Sequence, residues 1–255
     1  MSKTTEIKTS REGARSWNRM ILGHFVEHFH NQVYGGVYDP GSALADEAGF
    51  RLDVIEALKE LSPPIVRWPG GNFVSDYHWY EAVGQDRTPS FNKAWRVPEP
   101  NTFGTDEFIE WCRRLGCEPY ICTNAGSGTP EEMSNWLEYC NGTYETRYAD
   151  MRRRARYAQP HAVKYWGIGN ESYADFQIGA KTIAEWGPYV AEAAKMMRSV
   201  DCQSALNIGS DAISMTLGRS DNTCLEQIQL PASVHLSFDE FKLGDLSLSL
   251  AVRPH

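Results

Sequence analysis

Short apolar runs alternate with helix-period segments along most of the chain, and the apolar runs end on polar residues. Met20–Phe25 is apolar and leads to Glu27 and His28. The spacing predicts a helix from Phe50 to Leu61, with Phe50, Val54, Leu58 and Leu61 on one face. Pro63-Pro64 stops it, and Ile65-Val-Arg-Trp68 reads as a buried strand ended by Pro69-Gly-Gly71. The next helix begins after Thr105, has an inner stripe of Phe108, Trp111, Cys112 and Leu115, and ends at Gly116. A strand over 119–123 follows. Thr129-Pro-Glu-Glu132 then reads as an N-cap, a proline at the first helical position and a capping-box glutamate. Strand 163–168 ends at Gly169-Asn170-Glu171, and a helix spans 182–199, shortened or kinked by Pro188. Ser204–Ile208 and Val234–Phe238 read as further strands. Strand alternating with helix implies parallel strands joined by crossovers, with functional residues at the C-terminal strand ends.

Composition narrows the function classes. The 255 residues are 42% hydrophobic, enough for a core. The net charge of −8 argues against a partner that needs a positive surface, whether nucleic acid or an anionic membrane. No run of 18 apolar residues occurs, and residues 1–17 are polar without an apolar signal core. A cytoplasmic protein is expected. Six cysteines show no CxxC or His–Cys spacing of a zinc site and read as reduced structural thiols. The sequons at Asn141 and Asn170 read as chance. Five arginines over 147–156 read as the solvated face of a helix.

Two carboxylates, Glu171 and Glu240, each close an apolar strand and would point into a barrel mouth. Paired carboxylic acids are the minimal equipment for cleaving a glycosidic bond: one protonates the leaving oxygen, the other attacks or activates water. His24-Phe-Val-Glu-His28 also fits an inverted zinc motif, but that motif needs a helix, and the stretch is strand-like.

Seven ordered motifs carry a family resemblance. They are Gly23-His-Phe-Val-Glu-His28, Tyr34-Gly-Gly-Val-Tyr-Asp-Pro40, Ala45-Asp-Glu-Ala-Gly-Phe-Arg51, Arg67-Trp-Pro-Gly-Gly-Asn-Phe-Val-Ser75, Asn101-Thr-Phe-Gly-Thr-Asp-Glu-Phe108, Glu138-Tyr-Cys-Asn141 and Trp166-Gly-Ile-Gly-Asn-Glu171. Together they resemble the α-L-arabinofuranosidases of glycoside hydrolase family 51. The resemblance resumes at His235-Leu-Ser-Phe-Asp-Glu240, which looks like the nucleophile strand. It implies a (β/α)8 barrel and retaining hydrolysis of terminal non-reducing α-L-arabinofuranosyl residues from arabinan, arabinoxylan or their oligosaccharides. By motif, Glu171 is the general acid/base and Glu240 the nucleophile. Asn170 would bond the sugar 2-hydroxyl, Glu27 and Asn72 would hold ring hydroxyls, Arg67 would order the carboxylates, and Trp95 would line the arabinose pocket. No metal or organic cofactor is implied. The resemblance suggests a homo-oligomer, a contact that a missing C-terminal region would remove.

The pattern breaks after residue 200. Glu171 and Glu240 are 69 residues apart. A strand–helix unit takes roughly 30 residues, which leaves room for fewer units than the family's barrel needs. The family's sixth-strand His and Tyr and its β-sandwich are not recognisable. The expected fold is therefore an α/β chain of TIM-barrel type, incomplete by one or two strand–helix units. Its expected divisions are a polar segment 1–17, a barrel domain 18–240 and a divergent tail 241–255. Internal deletion would give such a pattern, and a carbohydrate-binding or assembly subunit without turnover is the alternative reading.

Overall fold

The computed structural model describes residues 18–201 and 206–209, and the backbone of four short strands between 234 and 254. These residues divide into two compact units, one within residues 22–213 and one that contains the four late strands.

The first unit is built on a five-stranded parallel sheet. Its strands are β1 (His24–Phe25), β2 (Ile65–Trp68), β5 (Glu118–Thr123), β6 (Tyr165–Ile168) and β7 (Asn207–Gly209), in the order β1-β2-β5-β6-β7. Spatial order follows chain order, as in a wound barrel. A hairpin of β3 (Ser90–Asn92) and β4 (Val97–Glu99) is inserted after β2. The helices are α1 (Leu52–Leu61), α2 (Thr105–Leu115), α3 (Pro130–Asn141), α4 (Arg147–Arg154) and α5 (Ile183–Val200). Registers such as Arg67 opposite Tyr120 and Cys122 opposite Gly167 bring the C-terminal ends of β2, β5 and β6 to one edge.

Local sequence explains most boundaries. Gly116 closes α2 in the left-handed region at φ 80°, and its amide donates to Cys112 and Arg113 carbonyls. Phe108, Ile109, Trp111, Cys112 and Leu115 are buried along that helix, one residue more than the stripe expected. Thr129 Oγ1 accepts the Glu132 amide at 3.1 Å, and Pro130 opens α3. Between the sheet and α3 lies an aromatic core. Trp68 stacks on Phe108 at 5.0 Å, Trp79 stacks on Trp136 at 6.1 Å, and Trp136 meets Trp166 edge-on at 6.2 Å. Trimming any one of these to alanine would cost about 3–5 kcal/mol.

Several expectations are corrected. Met20–Leu22 lies in a 3-10 turn, so β1 is only two residues long. On α1 the buried residue is Ile55, whereas Leu61 is 61% exposed, because the helix starts two residues late and its inner face rotates with it. Pro188 does not shorten α5. It is exposed in the second turn, and the helix runs on to Val200. The arginine-rich helix is not simply a solvated face. Arg152 is fully buried and donates to the carbonyls of Tyr139 (2.6 Å), Gly142 (2.8 Å) and Tyr157 (3.3 Å), satisfying chain ends that would otherwise be orphaned. Asn141 and Asn170 are both buried, so neither sequon is presented for glycosylation. Cys112, Cys117, Cys122 and Cys140 form no disulfide among the described residues. Cys202 and Cys224 lie outside the described residues.

In the second unit, β8 (Val234–Ser237) pairs antiparallel with β11 (Ala251–Pro254). β9 (Lys242–Leu243) pairs antiparallel with β10 (Leu246–Ser247). The strand expected over 234–238 is thus present as β8, but its partner is an antiparallel strand close in the chain. Short connections favour that pairing, whereas a parallel pair needs a crossover. No helix among the described residues is long and apolar enough to cross a membrane.

Candidate active site

Each strand of the parallel sheet delivers polar residues to its C-terminal edge. β1 is followed by Glu27, whose amide donates to Gln32 Oε1 at 3.2 Å. β2 is followed by a cis Trp68–Pro69 bond, then Gly70 at φ 113° and Gly71. A Cβ on Gly70 would sit 2.2 Å from Glu27 Cγ, and one on Gly71 would sit 3.0 Å from Glu27 Oε1. The glycine pair therefore exists to let the Glu27 side chain lie against backbone. Asn72 comes next, half-buried, with a buried Oδ1 that has no partner among the described residues.

Beyond β6, Gly169 at φ 71° turns the chain and Asn170 is buried. Arg67 Nη2, from the middle of β2, donates to Asn170 Oδ1 at 2.9 Å and lies 3.1 Å from Cys122 Sγ on β5. Three strands are thereby tied beneath one asparagine. Its Nδ2 is buried without a partner among the described residues, an unspent donor. Glu171 is exposed and held in the left-handed region at φ 46°. Such backbone in a residue other than glycine is uncommon and marks imposed geometry. Gln177 Nε2 donates to Glu171 Oε2 at 3.4 Å, and Gln177 Oε1 accepts from Ser75 Oγ at 3.0 Å. Gln177 and Ser75 are both buried. Sequence reasoning missed them, since a glutamine nine residues past a strand end carries no periodic signal.

Trp95 enters from the hairpin connection. Its amide donates to Asn92 Oδ1 at 2.9 Å, and its ring meets Phe29 edge-on at 4.9 Å. Lys93 Nζ bonds buried Asp76 at 3.1 Å, which ties this loop to the turn that Asn72 opens. The half-buried indole keeps an unpartnered Nε1 among the described residues.

His28 is structural. Trp68 Nε1 donates to its Nε2 at 3.0 Å, so Nδ1 carries the proton and donates to Glu99 Oε2 at 3.1 Å. The ring stacks on Phe73 at 4.2 Å. Burial opposes ionisation of Glu99, yet the bonds from His28, Tyr34 and the Asn101 amide hold its pKa below the usual range. With both nitrogens engaged and His24 on a strand, the inverted zinc motif has no two histidines on one helical face. No group of three or more metal-ligating side chains occurs among the described residues.

Glu27, Arg67, Asn72, Asn170 and Glu171 therefore follow or lie on β1, β2 and β6, three strands of one parallel sheet, and Trp95 meets Phe29, two residues past Glu27. Glu240 lies outside the described residues.

The model of the alpha-L-arabinofuranosidase 1 domain matches residues 57–187, half of the chain. The chain belongs to this α-L-arabinofuranosidase family. Arg67, Asn72, Trp95, Asn170 and Glu171 fall inside the matched residues; Glu27 and Glu240 fall outside. Alpha-L-arabinofuranosidase C of Emericella nidulans is 47% identical over 232 residues, 90% of this chain and 45% of that protein. An intracellular exo-alpha-(1->5)-L-arabinofuranosidase of Acetivibrio thermocellus is 43% identical over 186 residues, 72% of this chain and 37% of that protein. Among solved structures, the α-L-arabinofuranosidase of Thermotoga maritima in its arabinose complex superposes with a TM-score of 0.72 at 45% identity. It covers 80% of this chain and 41% of that one. A family 51 enzyme of Bifidobacterium longum gives 0.76 at 34% identity, covering 82% and 42%. The chain thus spans a little under half the length of these relatives, and its fold is of the barrel type with part of the barrel represented.

Proposed function

We propose that the chain is a retaining glycoside hydrolase that removes terminal non-reducing α-L-arabinofuranosyl residues from arabinan- and arabinoxylan-type polysaccharides and oligosaccharides. One observation carries the reading. Arg67 fixes Asn170 from below and leaves its Nδ2 unspent beside Glu171, at the strand edge where Glu27 and Asn72 also end. A sugar hydroxyl is the natural acceptor for that donor. Glu171 protonates the glycosidic oxygen while Glu240 attacks the anomeric carbon. A covalent glycosyl-enzyme forms and the alcohol leaves. Glu171 then takes a proton from water, which displaces Glu240 and releases arabinose with its configuration retained. Such a pair works at about 5–5.5 Å. Glu27 and Asn72 hold ring hydroxyls, Trp95 presents an apolar wall, and no cofactor enters the reaction.

A second reading rests on the sheet. Eight strands close a barrel, and five parallel strands are described here. A subunit that binds arabinosyl carbohydrate without cleaving it would keep the Glu27, Asn72 and Asn170 contacts. The two readings separate in one assay, release of nitrophenol from 4-nitrophenyl α-L-arabinofuranoside by the chain and by its Glu171→Ala variant. Turnover lost on substitution supports the hydrolase. Arabinose binding by calorimetry without turnover supports the subunit.

A further inference from the structure

A second cluster on the same sheet edge takes no part in the glycoside reaction. Ser127 is exposed on the loop that leads from β5 into α3. His78 Nδ1 lies 3.0 and 3.2 Å from the two oxygens of Glu132, the carboxylate expected to cap its own helix. The Nδ1–H is therefore the donor, and Nε2 is left as an acceptor, 3.4 Å from Ser127 Oγ. Asn124 Nδ2 donates to the same Oγ at 3.1 Å, which fills a lone pair and turns the hydroxyl hydrogen toward His78. Exposure falls along the series: Ser127 is open to solvent, the His78 side chain is 25% exposed and Glu132 16%.

We propose that Ser127, His78 and Glu132 form a serine–histidine–glutamate hydrolytic site that cleaves small acyl esters carried on carbohydrate. A nucleophile within reach of a base, itself oriented by a third group, is the signature of an activated serine, and such contacts are often long before substrate binds. Glu132 fixes the tautomer and stabilises the imidazolium that forms, the role an acidic partner plays in every such triad. The hydrogen bond that His78 donates to Glu132 holds the His78 pKa above its ordinary value, which fits that role. The amides of Gly128 and Thr129, directly after Ser127, have no acceptor among the described residues and lie at the positive end of α3. They are donors for a developing oxyanion.

The reaction balances without a cofactor. Ser127 Oγ attacks the acyl carbon as its proton passes to His78 Nε2. The C–O bond to the alcohol breaks, and the alcohol leaves with the proton from His78. Water, deprotonated by His78, then attacks the acyl carbon; the bond to Ser127 Oγ breaks, the acid leaves, and Oγ takes the proton back from His78. The carbohydrate carrier is inferred from position, and that part alone rests on the glycoside reading. The Ser127 amide donates to the Ser75 carbonyl, and Ser75 holds Gln177, which holds Glu171. The two sites share a wall.

The test uses the full chain and its Ser127→Ala and His78→Asn variants, with 4-nitrophenyl acetate as substrate and diisopropyl fluorophosphate as label. Ester turnover should fall about 10²-fold or more in both variants. One equivalent of label should appear on the Ser127 peptide by mass spectrometry, and it should be lost in His78→Asn. Arabinofuranoside turnover, read separately, should be unchanged in Ser127→Ala, so failure of one site is not mistaken for failure of the other. Matching near-ultraviolet circular dichroism confirms that the variants fold. Ester hydrolysis that persists in Ser127→Ala, or an unlabelled Ser127, overturns the proposal and leaves the three residues as a brace for the loop before α3.

Discussion

Arg67 reaches from β2 to Asn170 beyond β6, and its 2.9 Å bond sets which end of the asparagine amide faces the mouth. With Oδ1 committed to the guanidinium, Nδ2 is the end of the amide left without a partner among the described residues. Arg67→Met should therefore weaken arabinoside turnover much as Asn170→Ala does, and the double variant should lose little more than either alone. A hydrogen bond to a charged group contributes about 1.5–3 kcal/mol. Coupling of about that size is expected in a double-mutant cycle on kcat/KM. Additive losses would mean that the two residues act apart.

Gly70 tests the placement of Glu27. At φ 113° an alanine is already strained, and its Cβ would meet Glu27 Cγ at 2.2 Å. Gly70→Ala should lower the stability by at least about 1–3 kcal/mol from backbone strain. It should also raise KM for the arabinoside, because Glu27 must swing away. Thermal melting and steady-state kinetics read the two effects. A variant with unchanged KM would remove Glu27 from the substrate-binding set.

What was legible in the sequence is what short-range chemistry dictates. Gly116 closes a helix because a left-handed residue must, and Thr129-Pro130 opens one because a hydroxyl and a missing N–H suit the first turn. The strand endings at Trp68 and Ile168 were legible for the same reason, and with them Asn72, Asn170 and Glu171. Partner choice was not. Glu132 has the spacing to cap its own helix, yet its carboxylate bonds His78, 54 residues away. Arg152 sits among arginines that look solvated, but it is drawn inside by three carbonyls. Gln177 acquires its role from Ser75, 102 residues earlier. Such pairings follow from the packing of the sheet and its helices, and no local period encodes them. Glu240 reads from the sequence as a strand-end carboxylate, and it lies outside the described residues.

Asp106 is a structural keystone. Buried in the first turn of α2, it accepts from Tyr139 Oη at 2.7 Å and from His161 Nε2 at 2.9 Å. Burial, with the Asp106 charge adding to it, pushes the Tyr139 hydroxyl far above its ordinary pKa. Asp106→Ala leaves two buried donors without an acceptor and should cost about 3–5 kcal/mol. Asp106→Asn keeps one acceptor oxygen and should cost less. The midpoints of urea denaturation order the three proteins. Equal midpoints would show that water or a shifted neighbour replaces the carboxylate.

The His78–Glu132 pair fixes a pH dependence. The hydrogen bond to Glu132 raises the His78 pKa above its ordinary 6.5, with burial opposing. A group whose pKa is higher in the folded state stabilises that state fully below the unfolded pKa. The contribution is lost as pH rises through the folded value. The melting temperature of the chain should therefore exceed that of Glu132→Gln most at about pH 6, where the carboxylate is ionised and the imidazole still protonated. The gap should close as pH rises past the raised pKa of His78. Melts of both proteins across that range measure the gap directly. A gap that stays constant or widens with pH would mean that His78 is not protonated on Glu132 in the folded chain.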